Sequence, residues 1–236
     1  MKKNHFLMLI SVIFLMMTLL SCGNEPPVVS NLTYNILIYQ AGSLNIPNDS
    51  IFLSVYCILD DPNGLDDITQ VKITHTETEY SWIIPKDTIM HSNAVWNDKK
   101  YYGFSFLEFD NARSILTGEY SIEATDSVGN VTTQTFFVDV EGLASNEPYN
   151  IPPINYKVNF SNKNREIKIS GDKYSSCEIK LLNNAKAYNG GRKKFNYGKD
   201  IILDEDLISP RTQISVRVNK DEDGNIVYFL KNYVTD

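Results

Sequence analysis

Cysteine is scarce in this chain, with 3 in 236 residues, beside 3 histidines and 2 tryptophans. So few thiols exclude a disulfide-stapled miniprotein, and so few histidines leave little from which to build a hydrolase triad. No serine stands in a Gly-x-Ser-x-Gly elbow. Positive charge is also in deficit: 22 Lys and Arg face 29 Asp and Glu, a net charge of −7, which argues against a nucleic-acid partner. Beyond residues 6–20 no stretch approaches the roughly 20 apolar residues of a membrane-spanning helix. What remains is 42% hydrophobic, 11% aromatic and 22% charged, the composition of an ordinary folded body. Its length suits one large domain or two small ones.

Lys2 and Lys3 precede the apolar run, which closes on Leu19-Leu20-Ser21-Cys22-Gly23. A basic start, a short apolar centre and small residues at the exit describe a secretory signal rather than structure. Leu19-Leu20-Ser21-Cys22 closely resembles the lipobox of bacterial lipoproteins; the other reading is an ordinary signal peptide that carries a cysteine. The resemblance implies a diacylglyceryl thioether on Cys22 and cleavage just before it, making 1–21 a signal peptide and 22–31 a lipidated tether. Two or three acyl chains, at about 0.8 kcal/mol per buried methylene, would hold such a protein on a membrane without spanning it. By analogy with lipoprotein sorting, Gly23 in place of Asp implies the outer membrane of a bacterial envelope, on either face. That leaves Cys57 and Cys177; the alternation Ile51-x-Leu53-x-Val55-x-Cys57-x-Leu59 makes Cys57 a core residue, and both are read as buried free thiols.

From residue 32 onward short alternating runs are bounded by Gly, Pro, Asn and Asp. The candidate strands are 33–39, 51–59, 69–75, 80–84, 101–106, 118–125 and 132–140, with one possible helical turn over 108–116. Seven strands at this spacing predict a β-sandwich over 32–141. Residues 142–153 hold three prolines and no period, and read as a linker. Beyond it, 155–160, 166–170, 177–182, 193–197, 200–203, 213–219 and 225–233 predict a second, small all-β domain over 154–236. Its last two strands form a hairpin turned by Asp223-Gly224. The expected fold class is all-β throughout.

Gly118-Glu119-Tyr120-Ser121-Ile122-Glu123-Ala124-Thr125-Asp126-Ser127-Val128-Gly129-Asn130, running into 131–140, resembles the penultimate strand, turn and last strand of bacterial immunoglobulin-like domains. Tyr120, Ile122 and Ala124 share a face, and a tyrosine at that place can bond its hydroxyl back to a nearby carbonyl. Asp60-Asp61-Pro62-Asn63-Gly64-Leu65-Asp66-Asp67-Ile68 is similar to the acidic connection between early strands of the same families. The resemblance implies an Ig-like sandwich without the paired cysteines of antibody domains, and it implies no particular function.

Several constellations could carry chemistry. Asp60, Asp61, Asn63, Asp66 and Asp67 offer hard oxygen ligands of the kind Ca²⁺ takes; the competing reading is a turn at Pro62-Asn63-Gly64 whose aspartates cap amides and face water. No other cofactor is implied. Trp82, Trp96, Tyr101 and Tyr102, with Tyr80 nearby, would make an aromatic platform for sugar rings, or else core and cross-strand pairs. His75-x-Glu77-x-Glu79 is read as a strand running into a solvated rim rather than a metal site. Asn219-x-Asp221-x-Asp223-Gly224 imitates an EF-hand loop but has Leu230 at the twelfth position. Gly190-Gly191-Arg192-Lys193-Lys194-Phe195-Asn196-Tyr197 is a basic cluster with aromatics, read as a solvated hairpin or a contact for anionic glycan or lipid headgroups.

The expectation is a non-enzymatic, lipid-anchored envelope protein that binds or scaffolds a protein or glycan partner through its β-domains. The alternative is a carbohydrate-binding accessory lipoprotein of a glycan uptake or degradation system.

Overall fold

Strand β2 (Ser50–Asp60) shows how the sequence makes the fold: Ile51, Leu53, Val55, Cys57 and Leu59 alternate inward and are at most 3% exposed. In the computed structural model, which describes residues 25–43, 46–91, 93–96, 99–140, 142–161, 166–182, 193–198, 201–202, 213–220 and 225–234, the chain is all-β with several sheets. β1 (Val28–Tyr39) pairs antiparallel with β2. A 3₁₀ turn (Leu65–Asp67) leads to β3 (Ile68–His75), β4 (Ser81–Pro85), the helix α1 (Lys86–His91), β5 (Asn93–Trp96) and β6 (Lys99–Leu107). There follow β7 (Ser114–Leu116), β8 (Gly118–Asp126) and β9 (Val131–Val138).

Apart from β7, these strands form two sheets, one ordered β1-β2-β6-β5 and the other β4-β3-β8-β9. The chain crosses between them after β2, after β4 and again after β6, the Greek-key pattern of Ig-like sandwiches. One buried cluster takes Leu53, Val55 and Cys57 from the first sheet and Val71, Ile73, Ile122 and Ala124 from the second. Tyr120, 1% exposed, donates its hydroxyl to the Leu116 carbonyl at 2.8 Å. That is the tyrosine corner implied by the resemblance, and it fastens the start of β8 to the chain four residues earlier.

The second half carries β10 (Pro148–Asn150), β11 (Lys157–Ser161), β12 (Glu166–Ser170), β13 (Ser176–Leu182), β14 (Lys193–Asn196), β15 (Ile201–Ile202), β16 (Gln213–Asn219), β17 (Ile226–Phe229) and β18 (Tyr233–Val234). β16 and β17 are antiparallel neighbours, as the alternation predicts; the Asp223-Gly224 turn lies outside the described residues. β17 also runs parallel to β1, with Ile36 opposite Ile226 and Tyr39 opposite Phe229. The first sheet therefore continues through both halves in the order β14-β13-β16-β17-β1-β2-β6-β5, with β18 beside β16. β11, β12 and β15 make a smaller sheet, and Val158, Ile167 and Ile201 join Cys177, Val216 and Val218 in the core.

Four local features differ from the sequence expectations. β1 begins at Val28 rather than residue 33, because the register slips between Ser30 and Thr33 around Asn31, which sits at φ 50° and breaks the alternation. Residues 108–116 hold a 3₁₀ turn (Asp110–Ala112) and then β7, with no α-helical turn. The six-residue α1 is too short for its period to show. Residues 142–153 are laced to the sandwich: β10 pairs with β7, and the Thr117 hydroxyl donates to the Glu147 carbonyl at 2.9 Å.

Where the halves meet, Tyr39 lies flat on Phe229, ring centres 4.4 Å apart and planes 5° apart, with Phe52 edge-on at 5.8 Å. Arg217 of β16 covers the other partner, 5.8 Å from the Phe229 ring centre. Tyr39 is 2% exposed, so its truncation opens a cavity at this joint. Tyr39→Ala is expected to lower the unfolding free energy of the full chain by about 3 kcal/mol in urea denaturation. The exposed control Ile83→Ala should cost less than about 0.5 kcal/mol.

Candidate functional site

At one end of the sandwich the β2–β3 connection and the β8–β9 turn come together. Asp61 Oδ1 accepts the Asn63 amide at 2.7 Å, closing a small turn of its own. Asp67 accepts the Ser127 hydroxyl, which ties the first loop to the second. Asp126 continues the inward alternation of Tyr120, Ile122 and Ala124 and is itself 2% exposed. Its Oδ1 accepts the amides of Val128 (3.0 Å) and Asn130 (2.8 Å), and its Oδ2 accepts the Asn130 side-chain amide at 2.8 Å. Asp61, Asp67 and Asp126 each place a carboxylate oxygen within 4.8 Å of the other two.

Of the five residues singled out in the acidic loop, Asp61 and Asp67 thus converge, while Asp60, Asn63 and Asp66 stay exposed and outside the cluster. Asp60 instead caps the Asp61 amide at 2.9 Å. Asp126 lies outside that loop, in the stretch that resembles an Ig-like strand and turn. The same period of two that puts Ile122 and Ala124 in the core carries Asp126 inward as well, so the signal was present.

The aromatic residues do not form one platform. Trp82 lies on β4 in the second sheet, on the same face as buried Ile84; Tyr101 and Tyr102 lie on β6 in the first. Trp82 donates its indole N–H to the Glu108 carbonyl at 2.9 Å, and Tyr80 donates its hydroxyl to that same carbonyl at 3.2 Å. Its ring stacks on Tyr120 at 6.4 Å. Tyr102 is 1% exposed and belongs to the core with Phe104, because alternate residues of β6 point inward, while Tyr101 is half-buried. The side chain of Trp96 lies outside the described residues.

His75, Cys57 and Cys177 are each engaged or buried. His75 is fully buried; its Nε2 donates to the Thr117 carbonyl at 2.9 Å, and Nδ1 accepts from the Thr78 hydroxyl at 2.9 Å, so neither nitrogen is open to a metal. Cys57 and Cys177 are free and buried, and burial pushes their thiols up to about 12 and about 11, far from the thiolate a nucleophile requires. Cys22 lies outside the described residues. Among the described residues no helix is long and apolar enough to cross a membrane.

In the second half a groove of about 420 Å³ is lined by Lys173, Tyr174, Ser175, Ser176, Lys194, Asn196 and Tyr197. Buried Tyr174 supports Tyr197 edge-on at 5.0 Å, leaving the Tyr197 ring 51% exposed between two exposed lysines. Lys194, Asn196 and Tyr197 come from the basic, aromatic stretch singled out in the sequence; residues 190–192 lie outside the described residues.

No family model matches the sequence, and neither does any curated protein. Among solved structures, the chain is similar to Dpr11 IG1 bound to DIP-gamma IG+IG2, at 12% identity over 87% of this chain and 98% of that one, with a TM-score of 0.24. It is also similar to murine CEACAM1b, at 11% identity over 86% of this chain and 99% of that one, with a TM-score of 0.21. The Ig-like assignment rests on the strand order, the crossings and the Tyr120 corner described above.

Glu77, in the turn after β3, accepts the Ser145 hydroxyl and the Asn146 side-chain amide, the latter at 2.5 Å. These bonds, the Ser145 hydroxyl first, hold its carboxyl below the usual carboxylate range. A depressed folded value means the stabilisation is complete above the ordinary glutamate value of about 4.3 and is lost as pH falls through the folded value. Wild type is therefore expected to have the higher melting temperature than Glu77→Gln near neutrality, and the two melting curves should converge in acid. A gap that stays constant with pH contradicts this.

Proposed function

We propose that the chain is a lipid-anchored, non-enzymatic protein of the bacterial envelope that binds a partner through its two β-domains, taken as 32–141 and 154–236. The groove between Tyr197, Lys173 and Lys194 carries this reading: an exposed, supported ring beside cations and Ser and Asn groups suits recognition, and among the described residues no carboxylate or imidazole lines it. The engaged His75 and the buried Cys57 and Cys177 support the non-enzymatic part. The lipobox at Leu19-Leu20-Ser21-Cys22 supports the anchor, and Gly23 supports the outer membrane.

The same groove favours a narrower second reading, a carbohydrate-binding accessory lipoprotein of a glycan uptake or degradation system. An exposed tyrosine face suits stacking on a sugar ring, and the two lysines suit carboxylated or sulfated sugars.

Two measurements test these readings. Cys22→Ala is expected to move the protein from the membrane fraction to the soluble one; unchanged partitioning removes the anchor. On an array of neutral and anionic glycans the protein is expected to retain acidic sugars, with Tyr197→Ala lowering affinity at least about tenfold, the loss of about 1.4 kcal/mol. Binding that ignores both Tyr197→Ala and Lys194→Ala removes the groove from the proposal. No glycan binding at all leaves a protein partner, to be found by cross-linking in the native envelope.

A further inference from the structure

We infer that Asp61, Asp67 and Asp126 bind a calcium ion, one that pins the β2–β3 connection to the β8–β9 turn. Three carboxylates meet within 4.8 Å, and among the described residues their hydrogen-bond donors are neutral: the Asn63, Val128, Gly129 and Asn130 amides, the Asn130 side chain and the Ser127 hydroxyl. The nearby cation, Lys86, spends its ammonium on the Asp66 carbonyl.

A second observation points to a ligand. Asp61 is 4% exposed, and its Oδ2 is buried with no hydrogen-bond partner; the Oδ2 of Asp67 is buried and unpartnered too. A buried carboxylate oxygen with nothing to accept is costly, and like charges this close raise the cost further. A turn whose aspartates merely cap amides would leave its spare oxygens in water, as the exposed Asp60 does. A divalent cation removes both penalties at once.

The chemistry of the donors selects the ion. Carboxylate oxygens from two loops, with no imidazole or thiolate, suit a hard cation. Three carboxylates provide three to six oxygens at a flexible loop junction, and water completes the six to eight that Ca²⁺ accepts. Mg²⁺ demands a stricter octahedron and keeps its waters. Neither the β2–β3 loop nor the β8–β9 turn holds the set alone, which is why residues 60–67 by themselves specify no full set of ligands.

The test uses the full chain in detergent, stripped with chelator and titrated with calcium chloride or magnesium chloride while thermal unfolding is followed. With calcium at about a hundredfold excess over its dissociation constant the melting temperature is expected to rise by about 5–10 °C, with a smaller rise in magnesium. Asp67→Ala should abolish the response and Asp60→Asn should retain it. Asp126 takes at least three bonds within the β8–β9 turn and Asp67 only the Ser127 hydroxyl, so Asp67 is the variant that decides; Asp61→Asn, which keeps the acceptor for the Asn63 amide, should weaken calcium at least tenfold by calorimetry. No shift at about 10 mM calcium, or an equal shift in Asp67→Ala, overturns the site.

Discussion

The pairing of β1 with β17 joins the two halves of this chain. It is a short parallel contact, Ile36–Tyr39 against Ile226–Phe229, and parallel pairs need both faces covered to be stable. Here both are. Ile36 and Ile38 face the main core, and Leu37 and Tyr39 face a separate apolar cluster with Val227, Phe52 and Phe229. The end of β1 is therefore buried on both sides, unlike its first half, where only Val29 is buried. Without that cover, β17, already paired with β16 on one side, would have no reason to add its other side to the edge of an N-terminal sandwich.

This contact makes the second half an extension of the first rather than a bead on a string. The smaller sheet of β11, β12 and β15 closes over β13 and β16, which join the sheet of the sandwich through β17. Residues 142–153 add a second attachment, through β10 on β7 and through Glu77 on Ser145 and Asn146. The proposed groove at Tyr174 and Tyr197 lies beside β13 and β14 of this continuous sheet, and a binding face so held would lose less entropy on engaging a ligand than one on a free hinge.

What the sequence could and could not reveal follows from how far each interaction reaches along the chain. The core face of β2 and the Tyr120 corner are local, set by alternation and by a bond spanning four residues, and both are legible. The start of β1 is hidden because Asn31 adopts a left-handed conformation that interrupts the period. Tyr102 and Tyr101 are told apart only by which of them shares a face with Phe104, a distinction lost when aromatics are grouped by proximity in sequence. The β1–β17 pair joins residues about 190 positions apart, and nothing local announces it. The acidic cluster is intermediate: half of it lies in one visible loop, and Asp126 lies in another whose inward direction the alternation already encodes.

The register of β1 on β2 also fixes how the two ends of the molecule are used. Val28 sits opposite Asp60, so the acidic cluster lies where the chain enters the sandwich, and the Thr132 hydroxyl bonds the Pro27 carbonyl at that same end. Tyr39 sits opposite Ser50, at the far end, where the second half joins. Twelve residues of extended strand separate the two, about 40 Å. In the lipid-anchored reading only the residues from Cys22 to Pro27 lie between the acyl chains and β1, a span of about 20 Å at most. In that reading so short a tether would hold the Asp61–Asp67–Asp126 end toward the bilayer and the joint with the second half away from it. Three unneutralised carboxylates would then face an anionic surface, where repulsion is worst, so bound calcium would do two things there: fasten two loops, and remove the charge that opposes close approach to the membrane.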